Sequence, residues 1–274
     1  MSGWPAPAKI NLFLKVTGRR ADGYHTLQTV FQFLDYGDEL YFKIREDGAI
    51  VRLGETEGIG ASEDLCLSAA NSLQAKTQCP LGVEITLRKN IPVGGGLGGG
   101  SSDAATTLIA LNHLWQTHLV RDDLAELGLQ LGADVPVFIR GRAAWAEGVG
   151  ERLTPMDPEE NYYVVITPRV FVSTATVFAN HKLTAVDHSI KIRDFYSQSL
   201  GNELEPTVTA LYPEVQEALG WLRQFGEAQM TGTGASVFLA VMNRKAGEEI
   251  LAQCPPSYRG FVASGLNRHP LIEV

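Results

Sequence analysis

Pro92-Val93-Gly94-Gly95-Gly96-Leu97-Gly98-Gly99-Gly100-Ser101-Ser102-Asp103-Ala104-Ala105 is the stretch on which the reading of this 274-residue chain turns. Six of the seven positions from Gly94 to Gly100 are glycine. Upstream, the segment 82–89 alternates through Val83, Ile85 and Leu87, the period of a strand. Downstream, Ala104, Ala105, Leu108, Leu111 and Leu114 recur at the spacing of a buried helical stripe. A glycine loop between a strand and a helix lets backbone amides close around an anion. The unpaired N–H groups and the positive dipole end of the following helix favour phosphate there, and the Ser101 and Ser102 hydroxyls add donors.

Two rivals attach to the same residues. A flexible linker would be flanked by polar, aperiodic sequence rather than by periodic elements. Gly94-x-Gly96-x-x-Gly99 also satisfies the dinucleotide fingerprint, with the acids Asp122 and Asp123 further on. Glycine in excess makes that agreement easy, and the loop comes after several strands, where a leading βαβ unit would place it early. The Gly-Lys of a Walker A loop and the His-Arg-Asp and Asp-Phe-Gly elements of protein kinases occur nowhere in the chain.

Working outward, Ile10, Leu12, Leu14 and Val16 alternate as in a half-buried strand, which puts Lys9 and Asn11 on one face. Strands are expected at 29–34 and 40–44, and Ser62 and Glu63 are expected to open a helix reaching about Lys76. A further helix starts near Asp122 and ends before Gly132, where Gly132-Ala133-Asp134-Val135-Pro136 breaks the pattern. After a strand at 143–147, the polar, proline-containing segment 154–161 is the expected boundary between a domain of residues 1–155 and one of 156–274. In the second half, strands are expected at 162–167, 228–231, 237–241 and 260–264. Helices are expected from about Ser173, over 206–225 and near 245–253. That half reads as an antiparallel sheet with helices on one face.

Composition narrows the function. With 45% hydrophobic and 20% charged residues the chain can build a substantial core, and a net charge of −8 argues against a nucleic-acid backbone or an anionic membrane as partner. Cys66, Cys79 and Cys254 are odd in number and widely spaced, so neither a disulfide framework nor a zinc site is expected. The six histidines show no metal-ligand spacing. Met1-Ser2-Gly3-Trp4-Pro5 opens no basic-then-apolar leader and no apolar run is long enough to span a membrane, so a cytoplasmic protein is expected.

The segment from Pro92 to Ala105 resembles the phosphate loop of the GHMP kinases, with Leu97 at that family's central leucine. Pro7-Ala8-Lys9-Ile10-Asn11-Leu12, followed by Arg20-Ala21-Asp22-Gly23-Tyr24-His25, is similar to the opening signature of a narrower family, the diphosphocytidyl-methylerythritol kinases. Gly132 to Pro136 and Thr231-Gly232-Thr233-Gly234-Ala235-Ser236 match two more of its blocks, in the family's order. The resemblance implies an α+β GHMP kinase fold, with an N-terminal domain like ribosomal protein S5 domain 2 and a C-terminal ferredoxin-like α/β sandwich. It implies a substrate site in the cleft between them. The implied reaction is ATP-dependent phosphorylation of the 2-hydroxyl of 4-diphosphocytidyl-2-C-methyl-D-erythritol, giving the 2-phosphate and ADP, in the non-mevalonate route to isoprenoid and terpenoid precursors. Magnesium would arrive with ATP, and no metal site of the protein's own is implied.

By the same resemblance Lys9 and Asp134 are the catalytic pair. Asn11, Tyr24 and His25 contact the substrate, Phe31 and Phe178 flank its cytosine, and Thr174 touches it too. Lys89, Pro92, Gly94, Gly95, Gly96, Leu97, Gly98, Gly99, Gly100, Ser101 and Ser102 hold the nucleotide, with Asp64 standing where the family commonly has asparagine. The alternatives are another GHMP kinase, acting on mevalonate, homoserine or a sugar, and a non-catalytic nucleotide-binding protein.

Overall fold

Two strands that fold back on each other carry Lys9 and the substrate-contact candidates Asn11, His25 and Phe31. In the computed structural model, which describes residues 3–54, 64–182, 189–195 and 200–274, β1 (Trp4–Arg19) pairs antiparallel with β2 (His25–Arg45). The register shifts between Pro7 and Lys9, Asn11 and Leu14, and Val16 and Gly18. β2 is one continuous strand where two were expected. The residues between the two expected strands are polar, yet the Asp35 and Asp38 carboxylates are used by other elements. Asp35 accepts from the Arg244 guanidinium and Ser264 N, and Asp38 from Asn90 N and Ile91 N. Alternation along β2 sends Phe31 and Phe33 into the core under the helices and Leu34 into the core beneath the second half.

β3 (Ile50–Leu53) runs parallel to β4 (Gly82–Arg88), which pairs with β2. Over this sheet lie α1 (Leu65–Thr77), α2 (Gly99–Leu114), α3 (Arg121–Leu129) and α4 (Val135–Arg140), burying Leu73, Leu108, Leu111 and Phe138 against Phe31, Phe33 and Leu40. Ser62 and Glu63 lie outside the described residues; the cap of α1 is Asp64, whose carboxylate accepts from Cys66 N and Leu67 N. α4 starts where the sequence reads as a break, because Pro136 sits in the first helical turn, where a missing N–H costs nothing. β5 (Ala144–Glu147) pairs with β2 and with β6 (Arg152–Pro155), a strand whose last two residues reach into the segment expected as the domain boundary.

The second half is built on β7 (Tyr162–Pro168), β8 (Gln229–Met230), β9 (Val237–Val241) and β10 (Tyr258–Leu266), all antiparallel in the order β10-β7-β9-β8. Its helices are α5 (Thr174–Asn180), α6 (Ile192–Phe195), α7 (Glu205–Leu211), α8 (Pro213–Leu222) and α9 (Arg244–Leu251). The helix expected over 206–225 is two, because Tyr212, with φ −130° and ψ 90°, precedes Pro213 and is pushed out of the helical region. Val164 and Ile166 on one face of β7 pack against Val215, Leu219 and Leu222. Tyr163 and Val165 on the other face join Ala263, Ile10, Ile91 and Leu97. That second contact fixes the glycine loop. Leu97 is fully buried in it, a burial worth about 2 kcal/mol, and β10 continues the sheet onto β2 through Gly265 and Leu266. Among the described residues no helix is long and apolar enough to cross a membrane.

Candidate active site

Gly94, Gly96 and Gly98 have φ of 71°, 73° and 71°, so alternate residues of the loop are left-handed, a conformation in which a side chain would be strained. Space also runs out. A Cβ at Gly96 would stand 2.5 Å from Thr231 O and one at Gly98 would stand 2.9 Å from Lys9 Cγ. The loop is held along its length by the Thr231 to Ser236 turn, since Ala235 N donates to Gly94 O (3.3 Å) and Ser236 N to Gly95 O (3.0 Å). It also lies against β1, where Lys9 N donates to Leu97 O (2.9 Å). Gly99, Gly100 and Ser101 form the first turn of α2, which has no side-chain cap, so the helix begins with its amides open at the end of the loop.

Lys9 and Asp134 meet at this loop. Lys9 Nζ stands 3.2 Å from Asp134 Oδ2, 2.7 Å from Asn11 Oδ1 and 3.2 Å from Gly96 O, and lies over the Phe31 ring at 5.2 Å from its centroid. The lysine side chain is 4% exposed and the aspartate 32% exposed, so the carboxylate alone of the pair opens to solvent. Asp134 occupies the N-cap position of α4 but makes no capping hydrogen bond, leaving its oxygens free for other partners. Asn11 is fixed from three sides: its Nδ2 donates to Thr29 Oγ1 (2.9 Å), its backbone N to Thr231 Oγ1 (2.9 Å), and its Oδ1 accepts from Lys9.

These groups line a cavity of about 320 Å³ that also takes in Phe31, Ser101, Thr174, Phe178 and the Gly232 to Gly234 turn. Thr174 Oγ1 and Thr233 Oγ1 are hydrogen-bonded at 2.9 Å across it. His25 stacks on Phe178, with ring centroids 4.9 Å apart and planes 18° apart. Burial, with Arg19 and His181 adding, lowers the His25 pKa, which favours a neutral ring at neutral pH. Tyr24, its neighbour, is 66% exposed. Phe31 and Phe178 therefore both line the cavity, one under an ammonium and the other against an imidazole.

Of the expected nucleotide residues Gly94, Gly96, Gly98 and Ser101 line this cavity, Pro92, Gly95, Leu97, Gly99, Gly100 and Ser102 do not, and Asp64 and Lys89 stand apart from it. Asp64 caps α1 and is ion-paired with Arg52, both nearly sealed from solvent. Lys89 lies on the opposite flank of the loop, between the Asp38 and Asp103 carboxylates, and borders a second cavity of about 590 Å³ with Pro92 and Val93.

Comparison with known proteins adds the deciding observation. The description "GHMP kinases N terminal domain" fits residues 64–142 and "GHMP kinases C terminal" fits residues 189–259. The chain is 52% identical over 271 residues to the 4-diphosphocytidyl-2-C-methyl-D-erythritol kinase of Azoarcus sp. (strain BH72), covering 99% of this chain and 96% of that protein. It is also 52% identical to the enzyme of that name from Shewanella loihica (strain ATCC BAA-1088 / PV-4), over 98% and 95%. This chain belongs to the 4-diphosphocytidyl-2-C-methyl-D-erythritol kinase family. A crystal structure of 4-(cytidine 5'-diphospho)-2C-methyl-D-erythritol kinase superposes on it with a TM-score of 0.83 at 32% identity, covering 96% of this chain and 99% of that one. The architecture is thus the α+β fold of the GHMP kinases, in a small-molecule kinase family.

Some residues of this family member's site were not legible in the sequence. Leu14, Leu27, Val149 and Val172 complete the cavity wall, and nothing in their spacing distinguishes them from core residues. Asp38 carried no signal, being one acid in a polar run. Asp103 follows the quoted serines directly and could have been suspected from that place alone.

Proposed function

We propose that this chain transfers the γ-phosphoryl group of ATP to the 2-hydroxyl of 4-diphosphocytidyl-2-C-methyl-D-erythritol, releasing ADP. The observation that carries the reading is the Lys9–Asp134 pair at 3.2 Å, set against the glycine loop through Gly96 O. Phosphoryl transfer asks little covalent chemistry of a protein: the phosphates must be positioned, charge compensated and the hydroxyl proton accepted. The open amides at the start of α2 and along Gly94 to Gly100 suit the triphosphate. Asp134, solvent-accessible and without a capping bond, suits the proton. As the substrate oxygen bonds to the γ-phosphorus and the bridge to ADP breaks, the hydroxyl proton passes to an Asp134 oxygen. Lys9 holds that carboxylate through Nζ and adds positive charge beside the transferring group, and Asn11 orients Lys9.

His25 and Phe178 suit a cytosine, the ring stacking supplying a platform and the neutral imidazole a hydrogen-bonding edge. Thr174 and Asn11 are in reach of the same ligand. Magnesium would accompany the nucleotide on its phosphate oxygens and offset their charge. The same reading gives the chain two domains, 1–155 and 156–274, with the site in the cleft between them. Its partners are then ATP and the diphosphocytidyl substrate, and its compartment the cytoplasm. The test is product identity. Phosphorus and carbon NMR of the reaction with ATP and magnesium should show one new phosphate ester coupled to the carbon bearing the 2-hydroxyl. Transfer to mevalonate or homoserine, with none to the cytidine substrate, would reject the assignment.

A further inference from the structure

The glycine loop poses a mechanical question, because glycine has more backbone freedom to lose than any other residue, yet the phosphates need its amides in one arrangement. Its middle is tied to the Thr231 to Ser236 turn and to β1. Its two ends are tied elsewhere. At the entry, Asp38 Oδ1 on β2 accepts from Asn90 N (2.5 Å) and Ile91 N (2.8 Å). At the exit, Asp103 on the second turn of α2 accepts through Oδ2 from Lys89 Nζ at 2.7 Å, and the same ammonium donates to Asp38 Oδ2. One lysine therefore joins the carboxylate that holds the start of the loop to the carboxylate on the helix that ends it.

The burial of this cluster is extreme. The Asp38 side chain is 0% exposed, Asp103 3% and Lys89 15%. A Cβ at Gly99 would come within 3.0 Å of Lys89 Nζ, so the ammonium sits directly under the first residue of α2. A cation at that end of a helix opposes the dipole, and two buried carboxylates offset that opposition. Cys66 from α1 faces Asp103 as a protonated thiol, its pKa raised chiefly by burial, with Asp103 and Asp64 adding. Burial alone would lower the Lys89 pKa, but Asp103 and Asp38 outweigh it and the pKa lies above its ordinary value, so the ammonium stays charged.

We infer that Asp38, Lys89 and Asp103 are positioning residues: a buried charge clamp that sets the separation of the two ends of the glycine loop and thereby its affinity for nucleotide phosphates. The inference rests on the kinase reading for its ligand, though not for its geometry. Lys89 acts on the nucleotide through the loop, and its role is to hold the backbone donors in place. Such a residue affects ATP binding and leaves the acceptor alcohol's contacts, which lie on the other flank of the loop, untouched.

The experiment uses the full chain as wild type, Asp103→Asn, and the double variant Lys89→Met/Asp103→Leu. The double variant removes the ammonium together with one of its two partners and leaves Asp38 on the Asn90 and Ile91 amides, and urea unfolding of both variants separates loop positioning from stability. Hydrogen exchange is first followed by mass spectrometry without nucleotide. Peptides covering residues 91–102 are expected to exchange about tenfold faster in both variants, the scale of one lost charge-assisted hydrogen bond, with α8 peptides unchanged. ADP titration by calorimetry and steady-state kinetics follow. ADP Kd and KM for ATP are expected to rise about tenfold on the same ground, while KM for the diphosphocytidyl alcohol stays put. Loop exchange in both variants within a factor of about two of wild type, well inside the scale of a single such bond, overturns the clamp whether or not the chain proves to be this kinase. Faster loop exchange with unchanged ADP Kd and KM for ATP overturns its role in nucleotide binding. Wild-type protein that shows the exchange difference but binds no nucleotide overturns the kinase reading and the clamp's assigned ligand, while its mechanical part stands.

Discussion

On one flank of the glycine loop, Lys9 and Asp134 stand 3.2 Å apart with the aspartate 32% exposed; on the other, Lys89 lies between Asp38 and Asp103, which are closed to solvent. The residue types are the same and the loop is shared. What differs is access. A carboxylate that reaches the cavity can take a proton from a bound alcohol. Carboxylates sealed behind the loop exchange with no substrate, and their interactions with Lys89 and the backbone fix geometry instead. The same chemistry thus serves turnover on one side and architecture on the other, and the deciding variable is burial rather than sequence.

The comparison can be broken at several points. The largest effect is expected from Asp134→Asn, which should lower kcat by about 10²–10⁴-fold, the range for a lost general base. Thermal melting should change little, since Asp134 makes no capping bond and Lys9 keeps Asn11 Oδ1 and Gly96 O as acceptors. Equal losses of activity and stability would erase the distinction between the flanks.

Next comes Lys89→Met, which leaves two carboxylates facing each other in the core. It should cost about 3–5 kcal/mol of stability, the penalty for breaking a buried ion pair, measured by urea unfolding. Lys9→Met, by contrast, should reduce turnover far more than stability, because Asp134 can turn to water. If the two lysines exchange easily in these assays, the account of burial fails.

Phe178→Ala sharpens the substrate side. Loss of one stacking platform, about 1–3 kcal/mol, should raise KM for the diphosphocytidyl substrate with little change in KM for ATP. The opposite pattern would move the cytosine elsewhere.

The smallest effect concerns pH. Burial pushes the Asp103 carboxyl up to about 7, with Lys89 opposing and Asp38 adding. Its unfolded value is near the ordinary one of about 4, so between these values the folded chain holds the extra proton. That contribution to stability is complete below about pH 4 and is lost as pH rises through about 7. Relative to wild type, Asp103→Asn should therefore gain in Tm on going from pH 5 to pH 8. A difference in Tm that does not vary with pH would remove Asp103 from the set of titrating groups.

Much of this was legible in the sequence, and what was missed has identifiable causes. Strand and helix periodicity found β4, α2, β5, β7 and β9 closely, because each buries one face. The glycine loop announced an anion site through its place between two periodic elements. Periodicity failed where polar residues are held by long-range partners: Asp35 and Asp38 interrupt the apolar pattern of β2, and Arg244, Ser264, Asn90 and Ile91 are the partners that hold them within it. Lys9 and Asp134, 125 positions apart by their numbers, could be paired only through the family resemblance. Lys89 was legible only through the family resemblance, as a residue at the nucleotide. That its ammonium is engaged by two buried acids depends on β2 and α2 meeting, and no local pattern encodes that meeting.

The most direct measurement is ADP release in a coupled assay with ATP and magnesium, with and without 4-diphosphocytidyl-2-C-methyl-D-erythritol, in wild type and Asp134→Asn. The account predicts release that depends strictly on the cytidine substrate and nearly vanishes in the variant while ADP still binds. Release that ignores the substrate, or that continues at the wild-type rate in Asp134→Asn, would contradict it.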